Sequence, residues 1–314
     1  MESKDLEELY VRQMADFPLA RANYGALAEV CWREVRFPGF RVRVQYNPGR
    51  MVSTAAKTDR ESLQRRACFL CPANMPAEQE GLAYGERYRV CLNPYPIFTR
   101  HFTVPSVAHE PQRMAGRLAD MLALAENFRA YTVFYNGPAS GASAPDHFHF
   151  QLVPRRVMPL EEETGGTLRE TLAEGREYTA GRLRDYLREA LVLESADRGL
   201  LLRLTEEVIA ILGEVVEHEE EPRFNLFAWR EGERWTVCVL PRRRWRPRQF
   251  FLEGEERVMF SPGCADMAGL VIAPRREDFE RYTPELLEDL FGQVTVTPAQ
   301  GEEIARRVRA MNVG

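Results

Sequence analysis

The sequence predicts an α+β protein of two related halves, each an antiparallel sheet carrying one long helix. Three observations predict it. Short segments that alternate polar and apolar residues recur along the chain, the pattern of half-buried strands. Two stretches, 111–129 and 201–215, instead repeat their apolar residues at helical spacing. This grouping of strands with a helix occurs within residues 1–158 and again within 206–314. Residues 159–205 between them are rich in Glu and Arg and read as an exposed helical connection. The two halves share too little residue identity to show a duplication by sequence alone.

Each element has its own reason. Leu6, Leu9, Tyr10 and Met14 fall at helical spacing, so residues 5–34 read as a helix or two. Phe40 to Tyr46 alternates as a strand, with Val42, Val44 and Tyr46 against Arg41, Arg43 and Gln45, and ends at the turn Asn47-Pro48-Gly49. Residues 58–66 read as helical and lead into Cys68-Phe69-Leu70-Cys71. Tyr88–Leu92 is a strand that stops at Asn93-Pro94-Tyr95-Pro96, and His101–Pro105 is another. Met114, Leu118, Met121, Leu122 and Phe128 form one helical stripe over 111–129. Tyr131–Tyr135 and His147–Val153 are strands separated by a Gly- and Ser-rich loop. Leu201, Leu204, Val208, Ile211, Leu212 and Val215 mark the second amphipathic helix. Strands at 224–230 and 234–240 flank the turn Glu231-Gly232-Glu233, and further strands are expected near Val258 and over Leu270–Ala273. Thr283-Pro284-Glu285 and Thr297-Pro298-Ala299-Gln300 each place Thr at an N-cap with Pro at the first helical position.

Composition narrows the function classes. A net charge of −5 over 314 residues argues against a general nucleic-acid coat or a binder of anionic membranes. Met1–Glu8 is charged and lacks the apolar core of a secretory signal, and no apolar run is long enough to cross a bilayer. A cytoplasmic protein is expected. Of the six cysteines only Cys68 and Cys71 lie close together. In a reducing compartment such a pair is two packed thiols, or half of a metal site whose other ligands come from His101, His109, His147, His149 or His218, or, less favoured because it follows a helical segment instead of opening one, a thioredoxin-type redox site.

The segment Asp146-His147-Phe148-His149-Phe150-Gln151-Leu152-Val153 carries the chemistry. In a strand, His147, His149 and Gln151 share one face and Phe148, Phe150 and Leu152 the other. The preceding Asn136-Gly137-Pro138-Ala139-Ser140-Gly141-Ala142-Ser143 can bring backbone N–H groups to an anion. Imidazole beside such a cradle points to reaction at phosphorus. The basic run Pro241–Arg248 reads as a solvated loop, an acceptor-phosphate site or a nucleic-acid patch, and the acidic whole favours phosphate over RNA. Asn47, Arg50 and Lys57 flank a strand end, where they read as solvated surface, the commoner outcome, or as facing a substrate, and His101 and His218 read as structural or surface residues.

With these residues assembled, the chain resembles the galactose-1-phosphate uridylyltransferase branch of the histidine-triad (HIT) superfamily. That branch includes GDP-hexose and dinucleoside tetraphosphate phosphorylases. Cys68–Asn74 is similar to the branch's zinc knuckle, Val90–Pro96 to its strand ending in a nucleotide-contacting Asn, and Val104–His109 to the segment with its third zinc ligand. Val133–Asn136 through Gln151 is similar to its active-site loop and His-x-His-x-Gln strand. In the second half Phe224-Asn225-Leu226, Pro241–Pro247, Ser261-Pro262-Gly263 and Asp266–Gly269 are most similar to the phosphorylase members.

The resemblance implies a HIT-like fold, with Cys68, Cys71, His109 and His147 holding a structural zinc ion. It implies that His149 is the nucleophile and that Gln151 stands where hydrolytic HIT proteins carry a third histidine. An amide can donate a hydrogen bond to a phosphoryl oxygen but cannot deliver a proton, which suits transfer between phosphates. Asn93, Asn136, Gly141, Ala142 and Ser143 are the expected nucleotide contacts, and Arg242 and Arg243 the expected acceptor-phosphate contacts. The implied reaction is a ping-pong nucleotidyl transfer or phosphorolysis through a nucleotidyl-histidine. Its donor is a nucleotide sugar or dinucleoside polyphosphate, its acceptor inorganic phosphate or a sugar 1-phosphate. A homodimer is compatible with it. The competing readings are a HIT-type nucleotide hydrolase, which Gln151 disfavours, and a non-catalytic nucleotide- or RNA-binding protein on the same fold.

Overall fold

The computed structural model describes residues 1–54 and 60–311, so Lys57 lies outside the described residues. The chain opens with helices α1 (Ser3–Asp16) and α2 (Pro18–Ala26), then the hairpin of β1 (Cys31–Phe37) and β2 (Phe40–Tyr46). Short helices α3 (Met51–Thr54) and α4 (Arg60–Arg65) precede the cysteine pair. The first half proper is β3 (Gly81–Tyr84), β4 (Tyr88–Leu92), β5 (Phe102–Pro105), α5 (Leu118–Asn127), β6 (Tyr131–Asn136) and β7 (His149–Pro154). After α6 (Pro159–Glu163) come β8 (Arg169–Glu174), β9 (Tyr178–Leu183), β10 (Leu191–Ser195), α7 (Arg198–Val215), β11 (Phe224–Glu231) and β12 (Arg234–Pro241). The chain ends with α8 (Cys264–Met267), β13 (Leu270–Ala273), α9 (Arg276–Arg281), α10 (Pro284–Val294) and α11 (Pro298–Arg309).

Both halves use one plan: a three-strand meander, a helix and a returning hairpin. The strand orders β3-β4-β5-β7-β6 and β8-β9-β10-β12-β11 are the same in topology. They do not form separate sheets. The last strands of the two plans pair antiparallel, Asn136 with Asn225 and Phe134 with Phe227, giving one ten-stranded sheet. The repeat that low identity hides in the sequence is therefore explicit in the topology.

The stretch 159–205 is not a helical connection. It holds α6 and the whole meander of the second half. Its charges pair across and between strands, as in Arg182–Glu170 at 2.7 Å and Arg169–Glu194 at 2.6 Å, while Leu172 and Ala180 pack inward. Opposite charges on neighbouring strands stabilise a sheet as they stabilise a helix face, so composition alone misleads here. Nor are 1–158 and 206–314 independent units, because β13 pairs parallel with β2 in a separate three-stranded sheet.

The large sheet is covered on both faces. On one side α1, α2, α5, α7 and α11 pack against it, with Leu118, Met121, Phe128, Leu201 and Val208 meeting Phe148, Phe150 and Leu152. Each of these side chains contributes roughly 1.5–3 kcal/mol on burial. On the other side Phe134, Val153, Phe227 and Cys238 meet the small sheet and the C-terminal helices through Val42, Val44, Phe260 and Val271. The expected helix over 111–129 begins only at Leu118, since 111–117 is an irregular segment that ends in a turn at Gly116 and buries Gln112 and Met114. Val258 is buried in the second core without joining a strand. Thr283 and Thr297 cap α10 and α11 as the sequence predicts, and Gln300 completes a capping box on the latter. Among the described residues no helix is long and apolar enough to cross a membrane.

Candidate active site and metal centre

Strand β7 positions the candidate nucleophile. It begins at His149 rather than His147, and from there the expected alternation holds. Phe150 and Leu152 enter the helix-side core, whereas Val153 belongs to the opposite one. That places His149 and Gln151 on the face toward the small sheet. His149 is only 4% exposed. Gly141 and Ser143 on the loop before it and Gln151 two residues after it are partly exposed. Its Nδ1–H donates to the His147 carbonyl at 2.9 Å, which leaves the Nε2 lone pair available. Burial, the largest influence, lowers its pKa to about 4, so the ring is neutral.

Gln151 is oriented by a residue that sequence reading set aside. His101 is fully buried, and burial drives its pKa down to about 3. The neutral ring accepts from the Ile97 N–H at 3.3 Å and donates from Nε2 to Gln151 Oε1 at 2.6 Å. With its oxygen engaged, the Gln151 amide keeps its NH2 for another partner. Asn93 lies beside this pair, its Nδ2 3.5 Å from His101 Nε2, while its Oδ1 accepts from the Tyr95 N–H at 2.9 Å.

The Cys-x-x-Cys turn meets two histidines from elsewhere in the chain. The donor atoms of Cys68, Cys71, His109 and His147 all lie within 4.8 Å of one another. Cys68 Sγ is 3.3 Å and Cys71 Sγ 3.6 Å from His147 Nδ1, and Cys71 Sγ is 3.2 Å from His109 Nδ1. Tetrahedral zinc with N and S ligands separates donors by about 3.3–3.8 Å, so the cluster fits such an ion. His147 Nε2–H donates to the Ser106 carbonyl at 2.8 Å, fixing the tautomer that presents Nδ1 to the cluster. Burial opposes ionisation of Cys68, but the hydrogen bond and charge of His147 together with the backbone N–H groups of Leu70 and Cys71 overcome it and bring the thiol down to about 7. Arg66 ties this knuckle to the active-site loop through Asp146 at 3.0 Å and the Ser143 carbonyl at 3.3 Å.

The loop after β6 is anchored from the second half. Gly141 takes a φ of +104°, and a Cβ there would stand 2.5 Å from Gly263 Cα. Only glycine allows the two segments so close. The Gly141 and Ser143 N–H groups carry no hydrogen bond among the described residues, whereas Ala142 N–H turns inward to the Gly137 carbonyl at 3.4 Å. The Ser140 hydroxyl is buried and has no partner among the described residues.

Asn136, Arg242 and Arg243 depart from expectation. Asn136 Oδ1 accepts from Asn225 Nδ2 at 2.9 Å and from the Cys264 N–H at 2.7 Å, so it braces the loop rather than facing open space. Arg242 is fully buried and donates to Asn225 Oδ1 and to the carbonyls of Pro262, Arg244, Trp245 and Val294. Arg243 donates to the carbonyls of Gly292 and Gln293 at the end of α10. The basic run thus holds the C-terminal segment in place. Arg246 from the same run lies over the rings of Trp245 and Phe250 and donates to Ser261 Oγ at 2.8 Å. Arg50 is more than surface: it donates to the Tyr95 carbonyl, and its charge helps keep His101 neutral. Sequence reading also missed Gln112, whose buried side chain bonds the backbone of His149 on both sides. No local pattern marks either His101 or Gln112, because their partners are distant in the chain.

Comparison with known proteins agrees with this architecture. Residues 9–154 match a family described as a domain of unknown function (DUF4922), ending at the last residue of β7. No curated protein matches the sequence. The structure of yeast Ap4A phosphorylase Apa2 superposes with a TM-score of 0.58 at 18% identity, covering 89% of this chain and 96% of that one. Its complex with Ap4A gives 0.57 at 19% identity, over 91% and 97%. Its complex with AMP gives 0.55 at 18% identity, over 89% and 95%. The chain therefore has the two-halved, HIT-like α+β fold of yeast Ap4A phosphorylase.

Proposed function

We propose that this protein is a nucleotidyltransferase of the phosphorylase type, working through a covalent nucleotidyl-His149. The observation that carries the proposal is the 2.9 Å contact of His149 Nδ1 with the His147 carbonyl, an acceptor only, which keeps the proton on Nδ1 and the lone pair on Nε2. In the first step the Nε2 lone pair forms a bond to the α-phosphorus of a nucleotide substrate. The bridging P–O bond breaks, and its electron pair leaves on the departing phosphate. The proton on Nδ1 stays in place, and the His147 carbonyl stabilises the positive charge the ring acquires. An oxygen of the acceptor phosphate then attacks the same phosphorus. The P–N bond breaks and its electron pair returns to Nε2. No proton need be delivered to either leaving group, which suits an amide at position 151.

The other residues hold and neutralise. Gln151 NH2, the open N–H groups of Gly141 and Ser143 and the Ser143 hydroxyl donate to the phosphoryl oxygens. Arg50 adds positive charge and Asn93 contacts the nucleotide. Cys68, Cys71, His109 and His147 would hold a zinc ion, which would serve as a structural anchor for the segment before β7. The likeness to a phosphorylase structure solved with Ap4A makes dinucleoside polyphosphates the first substrates to test, with nucleotide sugars next. The test is a screen of both classes with and without inorganic phosphate. Release that depends on phosphate and is lost in His149→Ala supports the proposal; release indifferent to phosphate marks a hydrolase.

A further inference from the structure

We infer that the side chain of Gln112 is a positioning residue, a wedge that opens the β6–β7 hairpin and so sets the place of His149; this rests on His149 being the nucleophile. The register carries the argument. β6 and β7 pair from Tyr131 with Pro154 to Phe134 with Gln151, and there the ladder stops. Continued by two residues, it would set Asn136 opposite His149, with a hydrogen bond from one backbone to the other. The Gln112 amide occupies that place. The His149 N–H donates to Gln112 Oε1 at 2.7 Å, and Gln112 Nε2 donates onward to the Asn136 carbonyl at 2.9 Å. The second Nε2 hydrogen reaches the His149 carbonyl at 3.0 Å. One side chain thus replaces a strand-to-strand bond with a longer bridge.

Gln112 is itself held at both ends of the loop. Its N–H donates to the Pro145 carbonyl at 3.1 Å, and its carbonyl accepts from Tyr135 OH at 3.3 Å. The second half supplies the contrast within the same molecule. There β11 and β12 pair without a break from Phe224–Pro241 to Glu231–Arg234, closed by Gly232 and Glu233, and no loop forms. In the first half the amide keeps the strands apart just where residues 137–148 depart. Pairing with Pro105 on β5 fixes the other edge of His149, so its backbone is gripped from both sides.

The test measures whether Gln112 acts through His149. Gln112→Met keeps the length and removes every side-chain hydrogen bond; Gln112→Glu keeps one acceptor and loses both donors, and serves if the first variant does not fold. In otherwise native protein we expect kcat for phosphorolysis to fall on the order of 100-fold, as for a nucleophile displaced by about 1 Å, with KM nearly unchanged and bound zinc retained. In a His149→Gly background with imidazole added to supply the nucleophile, the same Gln112 change should cost nothing, because no tethered ring remains to be placed. Equal losses in both backgrounds would make Gln112 merely structural and overturn the inference, as would an unchanged kcat. If imidazole does not rescue His149→Gly, the single-turnover rate of label uptake by His149 decides instead. Slower uptake at unchanged substrate affinity supports the wedge, and unchanged uptake overturns it. Full activity of His149→Gly without imidazole would sink the nucleophile assignment separately.

Discussion

Replacing Arg242 by Met separates two accounts of the basic run. If Arg242 binds the acceptor phosphate, as its sequence context suggests, the variant keeps its stability and loses affinity for phosphate. If it braces the site, stability falls. The structure allows the magnitude to be worked out. Burial lowers the guanidinium pKa to about 10 from 12.5, so the charge costs about 3 kcal/mol to keep inside, which Met would recover. Against that, four acceptors lose their donor: Asn225 Oδ1 and the carbonyls of Pro262, Arg244 and Trp245, whereas the Val294 carbonyl keeps the Arg243 N–H at 2.9 Å. At about 1 kcal/mol each, the low end for unpaired buried groups, the loss exceeds the gain by ~1 kcal/mol. That corresponds to a fall in Tm of roughly 1–3 °C for a chain of this size. Scanning calorimetry reads it, alongside KM for phosphate. An unchanged Tm with a KM raised tenfold would refute the bracing role.

Four further outcomes follow from the same geometry. Cys68→Ser should lower bound zinc from about one ion per chain and reduce kcat together with it, measured by elemental analysis and assay. His101→Phe should leave the fold intact but free the Gln151 amide to rotate, lowering kcat roughly tenfold with little change in KM. Gly141→Ala should cost stability and activity together, since its Cβ would meet Gly263 backbone rather than a movable side chain, and the strained φ adds about 1–3 kcal/mol. Glu189 gives a pH dependence. Burial raises its pKa to about 7 from 4.5 in the unfolded chain, so the folded state disfavours the carboxylate. Its cost is absent below pH 4.5, grows as pH rises, and is complete above pH 7. Glu189→Gln should therefore match the parent near pH 4 and be more stable by about 1–2 kcal/mol at pH 8, after allowing for its partial exposure.

Much of the fold was legible where local signals coincide with tertiary ones. Phe150 and Leu152 on one face of β7, and the Thr-Pro caps of α10 and α11, need only nearest-neighbour reasoning. So does the turn between β11 and β12. The segment 159–205 was misread because cross-strand Arg–Glu pairs give the same composition as a solvated helix. The single continuous sheet was hidden because the pairing of β6 with β11 joins residues about ninety positions apart, with no motif at either end. The site divides in the same way. Spacing alone left the partners of Cys68 and Cys71 open among five histidines, and the structure brings His109 and His147 to them. Arg242 carries a charge that a sequence reader places in solvent, whereas its five donors let it sit wholly inside. Gln112 and His101 act only through backbone and side-chain groups that the fold delivers to them, so nothing in their neighbourhoods announces them.

The most direct test is to incubate the protein with α-labelled Ap4A in the absence of an acceptor, quench it, and map the label by peptide mass spectrometry. The account predicts label on the His149 imidazole, discharged on adding phosphate and missing in His149→Ala. Turnover without any labelled His149, or label residing on another side chain, would contradict it.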